Sequence, residues 1–192
     1  MIPHKLITEL NEAHITSEAI EKIMGVVRLV HVKNQTKIFE PHKVCDKAYY
    51  ILKGGFVCRY MDADLEIERT INFYLDDFHP FMSCVDSFFS GTPTQCELRA
   101  ICDSSVIEIH KKDLDALIHE DIKLFTFYHT LVTTALQEEN DFKLKIISYS
   151  SERLYHYLIT HCTSIIQKVP ARFIAEFMGI SPEWLSKLKH RI

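Results

Sequence analysis

The stretch Pro170 to Ile192 constrains the chain more than any other. Apolar Ile174, Phe177 and Met178 recur at i, i+3 and i+4, which predicts a short helix from Ala171 to Met178. Gly179 follows, where a helix end wants a left-handed residue. Ser181 is placed to cap a second helix, and Pro182 takes its first position, where no N–H is needed. Leu185, Leu188 and Ile192 form the apolar stripe of that second helix, with Ser186, Lys187, His190 and Arg191 on its other faces. Two short helices joined by a tight glycine turn are the pattern of a helix-turn-helix, whose second helix enters the DNA major groove. An ordinary helical hairpin at the end of a domain fits the same residues.

The charge distribution favours DNA. The whole chain carries −4. From Ser151 onward the positive residues are Arg153, Lys168, Arg172, Lys187, Lys189 and Arg191, against Glu152, Glu176 and Glu183. That segment is therefore net +3, and residues 1–150 carry −7. A basic tail on an acidic body is the asymmetry expected of a DNA-binding segment attached to a sensor.

Upstream, short β-forming runs dominate. Residues 4 to 24 read as one or two helices. Val26 to Val32, Lys37 to Phe39, Ala48 to Leu52, Phe56 to Tyr60, Glu66 to Leu75, Glu97 to Ile101 and Ser105 to Ile109 read as strands. The turns fall at Asn34-Gln35, Lys53-Gly54-Gly55, Met61 to Asp64 and Cys102-Asp103-Ser104. The paired glycines predict a tight hairpin. Seven or eight short strands with helices only at the ends imply an antiparallel barrel or roll. Lys111 to Ile118 is a short helix. Asp121 to Ser148 is a long one without Gly or Pro, about 42 Å at ~1.5 Å per residue, which would outrun a small roll. Leu124, Tyr128, Leu131, Ala135, Glu138 and Phe142 are spaced as a heptad seam along it. A further helix from Ser151 to Cys162 carries Leu154, Tyr157, Leu158 and His161.

These features together resemble the Crp/Fnr-type bacterial regulators, in particular their Bacteroidetes branch. The C-terminal likeness rests on Ile174-Ala175, Gly179-Ile180-Ser181-Pro182-Glu183 and Leu185-Ser186-Lys187. Tyr50-Ile51-Leu52-Lys53-Gly54-Gly55-Phe56-Val57, Gly91-Thr92-Pro93, Leu98-Arg99-Ala100 and Val106-Ile107-Glu108-Ile109 are similar to the cyclic-nucleotide-binding β-roll. The resemblance implies an α+β fold: an antiparallel β-roll (a double-stranded β-helix of jelly-roll type) with flanking helices. The sensor roll would span residues 1–120, a dimerisation helix 121–148 and a helix-turn-helix domain 149–192. It implies a homodimer through Leu124, Tyr128, Leu131, Ala135 and Phe142, and double-stranded DNA and RNA polymerase as partners. The family's base-reading positions fall on Pro182, Glu183 and Lys187. Arg172, Ser181, Ser186, Lys189, His190 and Arg191 flank them as phosphate contacts.

The chain departs from the family at the nucleotide pocket. Family members that bind cyclic nucleotides open a short helix with Phe-Gly-Glu and later place an Arg beside Ser or Thr. Here the opening is Phe78-His79-Pro80-Phe81, and Thr94 and Gln95 occupy the Arg and Ser/Thr positions. A partly buried phosphate needs a fixed counter-charge, usually a bidentate Arg. Cyclic AMP and cyclic GMP are therefore not expected. Arg99 should point away if Leu98 points inward. Phe78, His79, Phe81, Met82, Phe88, Thr94 and Gln95 would line what remains, either an apolar site for a small uncharged effector or a filled core.

Other classes are excluded by what the motifs lack. No Gly-x-Ser-x-Gly, phosphate loop, His-Glu-x-x-His or Cys/His nucleophile pattern occurs, so no catalytic residue and no enzyme is expected. The six cysteines are scattered without a Cys-x-x-Cys pair, and the eleven histidines lack metal spacing. Reduced, core-filling cysteines and no metal or cofactor are the expectation. The apolar share of 47% and charged share of 25% fit a globular protein. No apolar run reaches the ~18 residues of a membrane span. Met1 to Lys5 lacks the apolar stretch of a signal peptide, so a cytoplasmic protein without a membrane partner is expected. A ligand-sensing or protein-interaction roll that does not bind DNA is the competing reading.

Overall fold

The computed structural model describes residues 4–62 and 67–191. Helices α1 (His4–Glu12) and α2 (Ser17–Val26) come first, the latter capped by Thr16, whose hydroxyl accepts the Ala19 N–H at 3.2 Å. Eight strands follow among the described residues. They are β1 (Arg28–Val32), β2 (Lys37–Phe39), β3 (Lys47–Lys53), β4 (Gly55–Asp62), β5 (Ile67–Leu75), β6 (Phe81–Met82), β7 (Cys96–Ala100) and β8 (Ser104–His110). Helix α3 (Val85–Ser90) lies between β6 and β7. After the strands come α4 (Lys111–Glu120), α5 (Ile122–Ser148), α6 (Ser151–His161), α7 (Thr163–Lys168), α8 (Ala171–Met178) and α9 (Pro182–Arg191). Part of the turn expected at Met61 to Asp64, the residue Glu66 that should open the next strand, and Ile192 lie outside the described residues.

The strands form two antiparallel four-stranded sheets, ordered β1-β8-β3-β6 and β2-β7-β4-β5. Every step from one strand to the next crosses between the sheets except β4 to β5, which is the one hairpin among them. The hairpin expected at Gly54-Gly55 is therefore a corner instead: β3 pairs with β6 and β8, and β4 with β5 and β7. The glycines are needed because the sheets close tightly there. Gly54 has φ +98°, and a Cβ on it would stand 2.3 Å from Ser104 Oγ. Ser104 Oγ accepts the Gly55 N–H at 3.1 Å.

Period-2 alternation assigns the sheet faces to three cores. Val32, Tyr49, Ile51, Phe56, Cys58, Leu98 and Val106 fill the space between the sheets. Tyr50 and Ile107, on the outer face of the first sheet, are covered by α1, α2 and α4 and by Leu124 at the start of α5. Val57, Phe73 and Leu75, on the outer face of the second sheet, share a core with α6 to α9. The C-terminal helices are thus packed directly on the roll. Phe73 meets Phe177 at 4.8 Å between ring centroids.

A charged cluster lies in the same contact. Arg59 pairs with Glu97 opposite it on β7, and its guanidinium also reaches Glu68 at 2.9 Å and Glu176 of α8 at 3.3 Å. Thr70 donates to Glu176 at 2.8 Å. Glu97 is fully buried, yet its carboxyl is held below the usual range. Burial pushes it up most strongly as a single effect, and hydrogen bonds and charge from Lys37 and Arg99 outweigh that. Arg99 points away from the inter-sheet core, as its alternation with Leu98 predicts, and donates to Glu97 at 2.9 Å.

Helix α5 begins at Asp121, whose carboxylate accepts the N–H groups of Lys123 and Leu124 at 2.8 and 3.1 Å. The seam read along it from the sequence faces the chain's own body. Leu124 is buried in the core beneath the first sheet, and Phe142 packs on Phe177 at 5.4 Å and on Phe78 at 6.5 Å. Tyr128 and Leu131 are half-buried, and Ala135 and Glu138 of that set are exposed. A second apolar row lies about 120° round the helix at ~100° per residue. It comprises Ile122, Phe125, His129, Val132 and Leu136, spaced three and four apart, with Ile147 further along. Ile122 is 75% exposed, Phe125 45% and Leu136 66%. The expected dimer residues Leu124 and Phe142 are therefore spent inside one chain, because two apolar rows run along α5 and the roll takes that one. No described helix is long and apolar enough to cross a membrane.

Candidate nucleic-acid interface and effector cleft

Helix α8 ends as its sequence predicts. Gly179 adopts φ +65°, its N–H reaches Glu176 O at 3.1 Å, and the Ile180 N–H reaches Ala175 O at 3.0 Å. Ser181 Oγ then accepts the Trp184 N–H at 3.1 Å, which starts α9. Leu185 and Leu188 anchor α9 in the core shared with the roll. Trp184 Nε1 donates to Ser151 Oγ at 3.1 Å and fixes α9 against α6. With one side anchored, Glu183, Ser186, Lys187 and His190 share the opposite, exposed side.

The remaining candidates surround that face. Pro182, Ser181 and Lys189 are exposed. Arg191 donates to Glu152 at 3.2 Å and lies over the Trp184 ring at 5.4 Å. Arg172, at the start of α8, donates to Gln35 of the roll at 3.1 Å and lies over Phe173 at 4.4 Å. Glu183 has its carboxyl lowered by a hydrogen bond from its own backbone N–H, then by one from the Ser181 hydroxyl. Its carboxylate therefore helps cap α9, as well as being exposed at the tip.

A cleft of about 650 Å³ lies between the roll and α5. Of the seven residues expected to line it, Phe78 and His79 do. Phe81 pairs with Tyr50 and stacks edge-on to it, Met82 and Phe88 are buried away from the cleft, and Gln95 is exposed. Thr94 is buried and donates to Asp86 at 2.6 Å, so the position expected to neutralise a phosphate instead holds a carboxylate at the cleft wall. The walls are mainly apolar, with Ile71, Phe78, Leu136, Phe142 and Phe177 among them, but they also carry charged and polar groups. Asn72, Asp86, Glu138, Glu139 and Lys143 contribute, and the long helix is tied across by Asn72 donating to Glu139 at 2.8 Å. His79 stands 3.5 Å from Glu138, and burial lowers its pKa despite that neighbour. The acids were missed because α5 supplies most of them from far along the chain. The Cys58, Cys84 and Cys96 thiols also line this cleft.

No protein-family model matches the chain, and no curated protein does. Solved structures do. FixK2 of Bradyrhizobium japonicum is similar over 86% of this chain and 84% of its own, at 15% identity and a TM-score of 0.71. The c-di-GMP-responsive global regulator CLP of Xanthomonas campestris is similar over 92% and 91%, at 15% identity and 0.68. A Eubacterium rectale protein assigned to the Crp/Fnr family of transcriptional regulators is similar over 93% and 83%, at 15% identity and 0.67. These likenesses cover most of the chain, and on that basis it has the fold of the Crp/Fnr-type transcriptional regulators.

Proposed function

We propose that the protein is a homodimeric, sequence-specific DNA-binding regulator of transcription. In this reading residues 1–120 form the sensor roll, 121–148 the dimerisation helix and 149–192 the DNA-binding part. The observation that carries it is the tip of α9. Glu183, Lys187 and His190 share one exposed face while Leu185 and Leu188 hold the opposite side down. A helix so anchored offers its outer face to the major groove. Lys187 is suited to guanine O6 or N7 and Glu183 to cytosine N4. Pro182 has no side-chain donor and makes no such contact. Arg172, Lys189 and Arg191 serve the phosphates, with Ser181, Ser186 and His190 beside them. Arg172 exchanges its amide partner Gln35 for a charged one, a stronger bond.

The pairing surface is the second row of α5, exposed at Ile122, Phe125 and Leu136 and half-buried at Val132, meeting the same row of a second copy. Its heptad spacing is that of a two-helix seam, and the Crp/Fnr fold supports a second copy as its occupant. RNA polymerase is a further partner that follows only from this reading.

A gel shift with duplex fragments selected from genomic DNA, titrated over salt, tests the reading. Affinity should fall as salt rises, and Arg172→Ala should weaken all duplexes about equally and flatten the log–log slope by about one charge. Retention of neither selected nor random duplex at low salt would favour a roll that does not bind DNA.

The cleft does not suit a cyclic nucleotide. Asp86, Glu138 and Glu139 outnumber Lys143 there, and Thr94 supplies no counter-charge. Calorimetry with cyclic AMP or cyclic GMP should show no binding tighter than millimolar. A micromolar affinity would mean that Lys143 or another residue replaces the missing arginine.

A further inference from the structure

The second row of α5 has one polar member. Ile122, Phe125, Val132 and Leu136 are apolar, and His129 stands at the midpoint, seven residues from either end. All but Val132 are exposed in the single chain. The His129 ring lies against the Phe125 ring, at 6.0 Å between centroids and 29° between planes. Among the described residues it has no hydrogen-bond or ion-pair partner. The helix around it is uncharged. From Leu124 to Gln137 there is no Asp, Glu, Lys or Arg, and Tyr128 and His129 are the only titratable side chains. The hydroxyls of Thr126, Thr130 and Thr133 donate to carbonyls of their own helix. Of the elements packed on α5, α4 brings Asp115 toward Tyr128 on the roll side, and Lys111 pairs with Asp115 there at 2.8 Å.

In the pairing of two copies proposed above, the row meets itself. A two-fold interface uses the same patch on both partners. The midpoint of such a row falls against its own copy whichever way the two helices run, so two imidazoles meet across the axis. Two neutral imidazoles suit that place. Each has one ring N–H and one bare ring nitrogen, so one donates to the other. Two protonated imidazoles have donors only, and closing the seam buries like charges between apolar residues. The helix supplies no carboxylate to offset them. The Phe125 face attracts a cation only weakly.

We propose that His129 makes the dimer a pH switch: the seam closes with both imidazoles neutral and opens when they are protonated, which releases from DNA a regulator that needs two half-sites. The switch rests on the pairing through this row. Its sign follows from the protons. The dimer holds up to two fewer protons than two monomers, so association weakens as pH falls through the histidine range, about pH 8 to 5. In the acid part of that range each pH unit lowers the association constant by up to about 100-fold, because two protons must leave. A polar residue at one seam position also serves to fix register, and that role is independent of pH.

Sedimentation of the full chain at micromolar concentration, at about pH 8 and about pH 5.5, tests this. The wild type should be dimeric at the higher pH, with an association constant about 100-fold lower at the lower one. His129→Gln keeps a neutral polar group and should associate equally at both. His129→Lys carries its charge throughout and should associate weakly at both. His129 is exposed in the single chain, so neither change disturbs a packed core. A wild type that is equally dimeric at both pH values would overturn the switch and leave the pairing standing. So would a His129→Gln variant that keeps the wild-type response, since other groups would then be titrating. A wild type that is monomeric at the higher pH would overturn the pairing itself and the switch with it.

Discussion

Phe125→Glu should turn the dimer into monomers and lower affinity for a two-half-site duplex by about 10²–10⁴-fold, the factor at stake when two linked binding events become one. Phe125 is 45% exposed in the single chain and stacks only loosely on His129, at 6.0 Å between rings. A charge there costs the fold little, whereas a closed seam would bring two like charges face to face. Sedimentation at micromolar concentration reads the first effect, and a gel shift with the same sample reads the second. Leu131→Glu is the control. Leu131 is half-buried on the side of α5 that faces the roll, so its substitution should lower thermal stability before it affects assembly. A wild type that sediments as a monomer, or a Phe125→Glu variant that stays dimeric, would remove the exposed row from the account.

The contrast between these two residues shows where the sequence was readable. The helix-turn-helix was legible to the residue because its signals are local: Gly179, Ser181 and Pro182 each act on backbone within a turn of themselves. The length of α5 was legible from the absence of breakers. The face it exposes was not, because both apolar rows have heptad spacing and only the packed roll decides between them. The corner at Gly54-Gly55 was misread for a similar reason. Two glycines between apolar strands suit a hairpin, and the crossing to the other sheet is enforced by Ser104 and Leu75, distant in sequence.

The site was half visible. That Thr94 is not an arginine could be read, but not that Thr94 would bond Asp86 or that Glu138 and Glu139 would line the cleft. Arg59 sits inside the apolar run Phe56 to Tyr60, and a charge in such a run was a signal that it has a buried partner. Its partner Glu176 lies 117 positions away, and the contact exists only because the terminal helices dock on the second sheet. The scattered cysteines read as core residues, and five of the six are buried, with Cys102 exposed.

The central claim is that α9 reads base sequence, and Lys187 tests it most directly. Its exposed amine is one helical turn from Glu183 on the face opposite Leu185 and Leu188. Affinity of wild type and Lys187→Ala should be measured on the preferred duplex and on a scrambled one at the same salt. The account predicts a loss of about 1–3 kcal/mol on the preferred duplex, with preference relaxed at one base pair and the scrambled duplex nearly unchanged. An equal loss on both duplexes would make Lys187 a phosphate contact and contradict the claim.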